Sequence, residues 1–327
     1  MLGFVVPVLL IVVGAALLTA GAEGFAENVT GAADRLGVSV LALGVLLAGA
    51  EPEEAVTAML ASGQGHPALA AGDAVGANLV IATLTLGLAA LLTRLPVSRR
   101  ALEYAGASTV VGLLAWLFLL NGVLGRLEGL VLVLLYAGGV VWVWRRESAP
   151  PLIGELAELD QRPGGAVDVR PGTPGGRDKG TGRALLVLLL GVLAMVAGGA
   201  LAVRGAEGLV DVLDVGESVI GLTVLALATS AEMVALVWSA RRRGLSQVVV
   251  AGAVGAIAYN STVTLGLAAL VSPLGLGRAN VIVTATAVTA VLPLVLFAGA
   301  RRGLLPRPVG AALVVAYVAA VGFLLAR

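Results

Sequence analysis

Cysteine is absent and histidine occurs once, at His66. The first absence excludes disulfides and says nothing of redox compartment. The second excludes a histidine-rich metal centre. Charge is scarce too: Asp, Glu, Lys and Arg make up 13% of the 327 residues, where a soluble globule carries about a quarter. Net charge is +1, which gives nucleic acid no electrostatic reason to bind. There is no HExxH motif, and one histidine leaves little room for a Ser/His pair. A membrane-embedded hydrolase is therefore disfavoured.

What remains is apolar. Mean hydropathy is +1.02 and 59% of residues are hydrophobic, so the chain reads as an integral membrane protein whose first partner is the lipid bilayer. The 45 glycines fit membrane helices whose backbones approach closely. A spanning helix needs about 20 apolar residues. Uncharged runs lie at 1–22, 74–93, 105–125, 129–144, 184–203, 279–300 and 308–326, and 244–277 adds a helix with a re-entrant turn at "SPLGLG". Two more runs, 36–63 and 218–240, are interrupted only by glutamates. The expected fold is all-α and polytopic, with ten transmembrane helices in two groups of five: 1–144 and 184–327. Between them 145–183 is rich in Pro, Gly and charge, a composition that predicts a linker; "PLIGELAELDQ" within it could form a short surface helix. The run 1–22 lacks a basic start and cleavage site and reads as a span rather than a signal peptide.

Lys/Arg placement sets the expected orientation. With 145–183 in the cytoplasm, all but four of the 21 basic residues fall on that side; Arg126, Arg204, Arg278 and Arg327 are the exceptions. Both termini then lie outside. A prokaryotic-type plasma (inner) membrane is the expected location.

The halves are also related in sequence. Shifted by 179 residues, they align without a gap from Gly37 to Leu91. "GVSVLALGVLLAGAEPEEAV" lies over "GESVIGLTVLALATSAEMVA", and "AVGANLVIATLTLGLAAL" over "AVGAIAYNSTVTLGLAAL". Five spans is an odd number, so the second copy enters the membrane the other way up. Inverted-topology repeats are a transporter signature, with the site at the midplane between them.

Under the shift Glu53 falls on Glu232, Glu51 on Ser230 and Glu54 on Met233. Charged groups inside a membrane are costly and mark function, so the shared pair, Glu53 and Glu232, is the expected site. Glu51 and Glu54, neighbours at i,i+3, are expected to line an access path or to pair with other groups. Pro52 lacks an N–H and frees the carbonyl of residue 48. Further oxygens come from Thr229, Asn78 and Asn260; membrane Thr and Ser hydroxyls often only bond their own i−4 carbonyl. Asp73 reads as a helix cap and His66 as solvated.

The paired motifs "AGAEPE" (48–53) and "LATSAE" (227–232), followed by "GANLVI" (76–81) and "GAIAYN" (255–260), resemble those of the cation/calcium antiporter superfamily, the sodium/calcium exchangers among them. The resemblance covers nearly all the chain except 145–183. It implies ten spans in two inverted halves and calcium held between Glu53 and Glu232, with Asn260 as a further ligand. The family's motif hydroxyls are Gly49 and Ala50 here, and Ala228 and Thr229 in the second half; its motif serines are Ala77 and Ala256; Ile81 stands where Asn260 stands in the other copy.

Calcium takes 6–8 oxygens; the two glutamates give up to four. With no ion bound, two close carboxylates in low dielectric do not both stay ionised. The expected activity is therefore secondary antiport of Ca2+ or another divalent cation, with H+ as counter-ion and Na+ second, and with no cofactor. A channel or uniporter, and a member carrying a different solute, stand as alternatives.

Overall fold

The computed structural model describes residues 2–36, 51–146, 181–243, 246–277 and 280–326, and 86% of the fold is helical. Helix α1 (Leu2–Leu36) is followed by α2 (Pro52–Gly63), α3 (Pro67–Leu79) and α4 (Leu86–Leu92). Then come α5 (Arg99–Leu119), α6 (Arg126–Arg146) and the long α7 (Thr181–Leu213). The second half continues with α8 (Glu217–Ile220), α9 (Ala226–Thr229), α10 (Ala231–Arg243), α11 (Ser246–Tyr259) and α12 (Leu265–Val271). It ends with α13 (Val281–Val291) and α14 (Arg307–Leu325). Three π-helical turns, Val80–Thr85, Gly221–Leu225 and Asn260–Thr264, join α3 to α4, α8 to α9 and α11 to α12.

Among the described residues eight helices are long and apolar enough to cross a membrane, or nine if the bent pair Glu217–Thr229 and Ala231–Trp238 is one span. The tenth expected span, 36–63, falls partly on 37–50, outside the described residues, as do the expected surface helix at "PLIGELAELDQ" and the 147–180 stretch of the linker. The expected re-entrant turn at 272–277 is replaced by an extended segment: β2 (Leu274–Gly275) pairs antiparallel with β1 (Val123–Leu124). At the opposite end Pro96 bridges Leu304, so a short extended contact between the halves closes each end of the bundle.

Burial sorts the helices by role. Within their apolar windows, Pro67–Leu92 is 78% buried and Val249–Val271 67%, against 22% for Gly3–Glu23 and Arg307–Leu325. The outer helices present Leu9, Val12, Val315 and Val318 outward, an apolar belt suited to lipid. The inner helices carry the polar residues. Small residues allow this: a Cβ on Gly76 would lie 2.6 Å from the Leu222 carbonyl oxygen, so α3 lies backbone to backbone against the broken helix α8–α10. Helices α1 and α7 pack along one another in the same way, with Gly14 against Gly198.

Candidate functional site

Two helices start at matching points, α2 at Pro52 and α10 at Ala231. Proline opens α2 at Pro52, where it needs no N–H. Glu51 before it is non-helical (φ −109°, ψ 77°), and its carbonyl accepts from the N–H groups of Glu54 and Ala55. In the second half α9 ends at Ser230 (φ −87°, ψ 12°), whose carbonyl accepts from Met233 N–H. Residues 51 and 230 are the pair that the 179-residue shift superposes, and so are 54 and 233. Each start leaves backbone groups unpaired by helix geometry, deep in the protein, where they can face a polar site.

Around these starts lies a buried polar cluster. Glu51, Glu53 and Glu54 are each 1% exposed, although they occupy the first turn of one helix. Glu232 is half-buried in the first turn of α10. The Glu51 carboxyl lies beside that of Glu54 and in the field of Glu232. Tyr259, edge-on to Tyr136 with ring centroids 5.4 Å apart, lies in the field of Glu51, Glu53 and Glu54.

The cluster is tied across the halves by hydrogen bonds. Ser230 Oγ donates to Glu54 Oε1 at 2.6 Å. Asn260 Nδ2 donates to Glu51 Oε2 at 3.1 Å, and Asn260 Oδ1 accepts from Thr264 Oγ1 at 2.9 Å. Thr229 Oγ1 donates to Asp73 Oδ1 at 2.9 Å. Asn78 Nδ2 donates to Ser261 Oγ at 3.0 Å. Hydrogen bonds to a charged group contribute about 1.5–3 kcal/mol each, and removing a buried partner costs the desolvation of the group left behind.

Several expectations are thereby revised. Of the two expectations for Glu51 and Glu54, pairing is the one seen: they are buried and bonded to Asn260 and Ser230. Asp73 is no cap. Helix α3 starts at Pro67, so Asp73 sits well inside it, fully buried, with Oδ2 lacking a hydrogen-bond partner. The signal was present: "HPALAAGD" places a helix-starting proline six residues ahead of the acid. His66 is not simply solvated but contacts two carboxylates. The hydroxyls divide. Thr83 and Thr262 bond their own i−4 carbonyls, Ser230, Ser261 and Thr264 serve other side chains, and Thr229 reaches both Asp73 and its own i−4 carbonyl.

Among the described residues no three acidic or histidine side chains converge as a metal cage. The carboxylates are instead held by amide and hydroxyl donors. Such a cluster can exchange internal donors or protons for a cation, since every group in it offers oxygen.

Comparison with known proteins fits this arrangement. A profile described as sodium/calcium exchanger protein matches residues 1–145 and 183–326. The chain is 27% identical over 276 residues to a protein of Alkalimonas amylolytica named "Putative antiporter CaxA", covering 82% of each chain. It is 28% identical over 249 residues to the inner membrane protein YrbG of Escherichia coli (strain K12), covering 73% of this chain and 69% of that one. Among solved structures, the sodium-calcium exchanger NCX_Mj soaked with Na+ and Sr2+ superposes with a TM-score of 0.61 over 98% of each chain at 21% identity, a likeness of fold.

Proposed function

The chain belongs to the sodium/calcium exchanger protein family, and from that premise we propose that it is a secondary antiporter exchanging calcium, or another divalent cation, for protons. Sodium is the second choice of counter-ion. The observation that carries this reading is the enclosed carboxylate cluster at two matched helix starts, held by donors from the opposite half.

In this reading the fold is ten spans in two inverted repeats of five, 1–144 and 184–327, joined by a cytoplasmic 145–183 loop in an inner membrane. Glu53 and Glu232 are the principal cation ligands. Thr229, Asn260 and Asn78 supply further oxygens. Glu51 and Glu54 join them at the core of the site rather than on its approach. The matched helix starts, the similarity to NCX_Mj in fold and the distribution of arginines support this reading.

The chemistry is a competition for oxygen. Without a cation, the carboxylates of the first half are stabilised by Ser230 and Asn260 and by bound protons. A divalent cation entering the cluster displaces protons, because the negative charge that holds it must first be exposed. Protons returning from the other side release the cation. The missing motif hydroxyls, Gly49 and Ala50 in the first half, remove side-chain oxygens that a sodium ion would use, whereas protons need none.

Proteoliposome flux tests the whole reading. Acid-loaded vesicles in sodium-free medium are expected to take up calcium as protons leave. Uptake that persists unchanged with no counter-ion gradient would replace antiport by a channel.

A further inference from the structure

His66 lies in the turn between α2 and α3. Its Nε2 is 2.8 Å from Glu207 Oε1 on α7, and its Nδ1 is 2.8 Å from Glu217 Oε1 at the start of α8. One ring therefore links three elements. The three side chains are about one-third exposed (28–33%), so water reaches them while the contacts hold.

The chemistry of the ring fixes what this arrangement requires. A neutral imidazole has one N–H donor and one lone-pair nitrogen. A lone pair set against a carboxylate oxygen repels it. The imidazolium has two donors and satisfies both contacts. The bridge is therefore complete only when it holds one additional proton. Histidine is the side chain type that changes charge between about pH 5 and 8.

Position gives the bridge mechanical meaning. Helix α7 packs lengthwise on α1 through glycines, Gly198 on Gly14 and Gly205 on Pro7. It meets α2 closely as well, Gly199 facing Leu60 and the Thr57 hydroxyl. The His66–Glu207 contact is polar and directional, and it sits at the end of α7. Glu217 ties the same ring to the helix that leads to the Ser230 break.

We propose that His66 is a proton-operated latch: protonated, it fastens α7 and α8 to the α2–α3 turn and holds this end of the molecule shut; deprotonated, it lets α7 move. Other charged groups at this end are Arg204, Asp211 and Asp214 on or beside α7, and Arg126 and Glu128 at the start of α6; none of them is paired with His66 among the described residues. Arg126 is occupied by the carbonyls of Leu270 and Val271. The facing end of α1, Leu2–Val8, carries no titratable side chain. The proposal rests on the antiporter reading only for its consequence, slower opening in acid; the latch itself does not depend on what is carried.

The chain has no cysteine, so two introduced ones label cleanly. Spin labels at Gln64→Cys and Leu213→Cys, both exposed positions, report the turn-to-α7 distance in full-length protein in nanodiscs. From about pH 5.5 to about pH 8.5, spanning the histidine range, a short, narrow distance distribution should give way to a longer, broader one. His66→Gln should show the longer distribution at every pH, and Glu207→Gln should do the same by removing the other partner. Because two variants test the contact from opposite sides, misfolding of one leaves the other decisive. A wild-type distribution that ignores pH, or a shift retained in both variants, overturns the latch. No ion flux enters the measurement, so an error in the transport reading would not alter its outcome.

Discussion

The two helix starts at the site invite direct comparison. The first reads Glu51-Pro52-Glu53-Glu54 and the second Ser230-Ala231-Glu232-Met233. Helices α2 and α10 start at the same register position, yet only the first has a proline. The second bends by 41° without one, with Ser230 outside helical geometry. The second copy therefore reaches its helix start without proline. The chemistry differs more. The first half brings Glu51, Glu53, Glu54 and Asp73, all acceptors when ionised. The second brings Ser230, Thr229 and Asn260, which donate to them, and a single glutamate. The copies share a backbone device and largely divide the polar roles between them, Asn78 of the first half donating to Ser261 of the second being the exception.

That division predicts a ranking. Glu53 and Glu232 are the acids both copies retain, so Glu53→Gln and Glu232→Gln are each expected to abolish divalent transport to background while the protein still folds. An amide keeps size and hydrogen bonding and costs less to bury than an unpaired charge. Calcium uptake into proteoliposomes, with thermal stability measured alongside, decides it. Robust uptake by either variant would move the site away from the shared pair.

Next in size is the tie between halves. Ser230→Ala leaves Glu54 Oε1 buried without its donor, whereas Glu54→Gln keeps an oxygen for Ser230. Stability should fall more for the serine variant. A double-mutant cycle on Glu54 and Ser230 should give a coupling of about 0.5–3 kcal/mol. Additivity would mean that the 2.6 Å contact does not couple the halves.

Much of the fold was legible in the sequence because membrane helices announce themselves by length and apolarity. The start of α2 was legible because Pro52 lacks an N–H, whereas the bend at Ser230 carries no proline signal. What the repeat logic hid is instructive. It ranks residues by whether their image is retained, and the cross-half bonds join positions that are not images. Asp73 superposes on Gly252, Asn260 on Ile81 and Thr229 on Ala50. Symmetry alone discounts each of these, although Thr229 donates to Asp73 and Asn260 to Glu51 across the halves; the chemistry of their side chains had already marked Thr229 and Asn260, but not Asp73. The His66 bridge was hidden for a related reason: Glu207 and Glu217 lie some 140 to 150 residues away in sequence, and only tertiary packing brings them to the ring.

Counter-ion choice sharpens the comparison at lower amplitude. The first half has lost the hydroxyls that precede its glutamate, while the second keeps Thr229. If protons are the counter-ion, sodium should add little to flux driven by a pH gradient, and restoring hydroxyls with Gly49→Thr and Ala50→Ser should raise the sodium response. The sign is set by protons leaving as calcium enters, so acid inside drives uptake and acid outside opposes it. Flux that appears only with a sodium gradient would show that carbonyls or water replace the lost side chains.

The smallest effect is expected from the chain that joins the halves. Helix α6 ends at Arg146 and α7 begins at Thr181, and the interval is rich in Pro, Gly and charge. The halves hold each other without it. Ser230 reaches Glu54, Asn260 reaches Glu51, and Ser62 Oγ donates to the Ala268 carbonyl at 2.7 Å. Strand β1 pairs with β2 at one end, and Pro96 bridges Leu304 at the other. A linker contributes mainly through the entropy of closing the chain, which changes only as the logarithm of its length. Replacing 150–180 with a short Gly/Ser segment that still spans the gap should therefore leave calcium uptake within about twofold, since a doubling of loop length costs only about 0.6 kcal/mol. Uptake rates and thermal stability of the purified variant check this. Lost cation binding in a variant that remains folded would mean that the loop, and not only the two halves, takes part in the site.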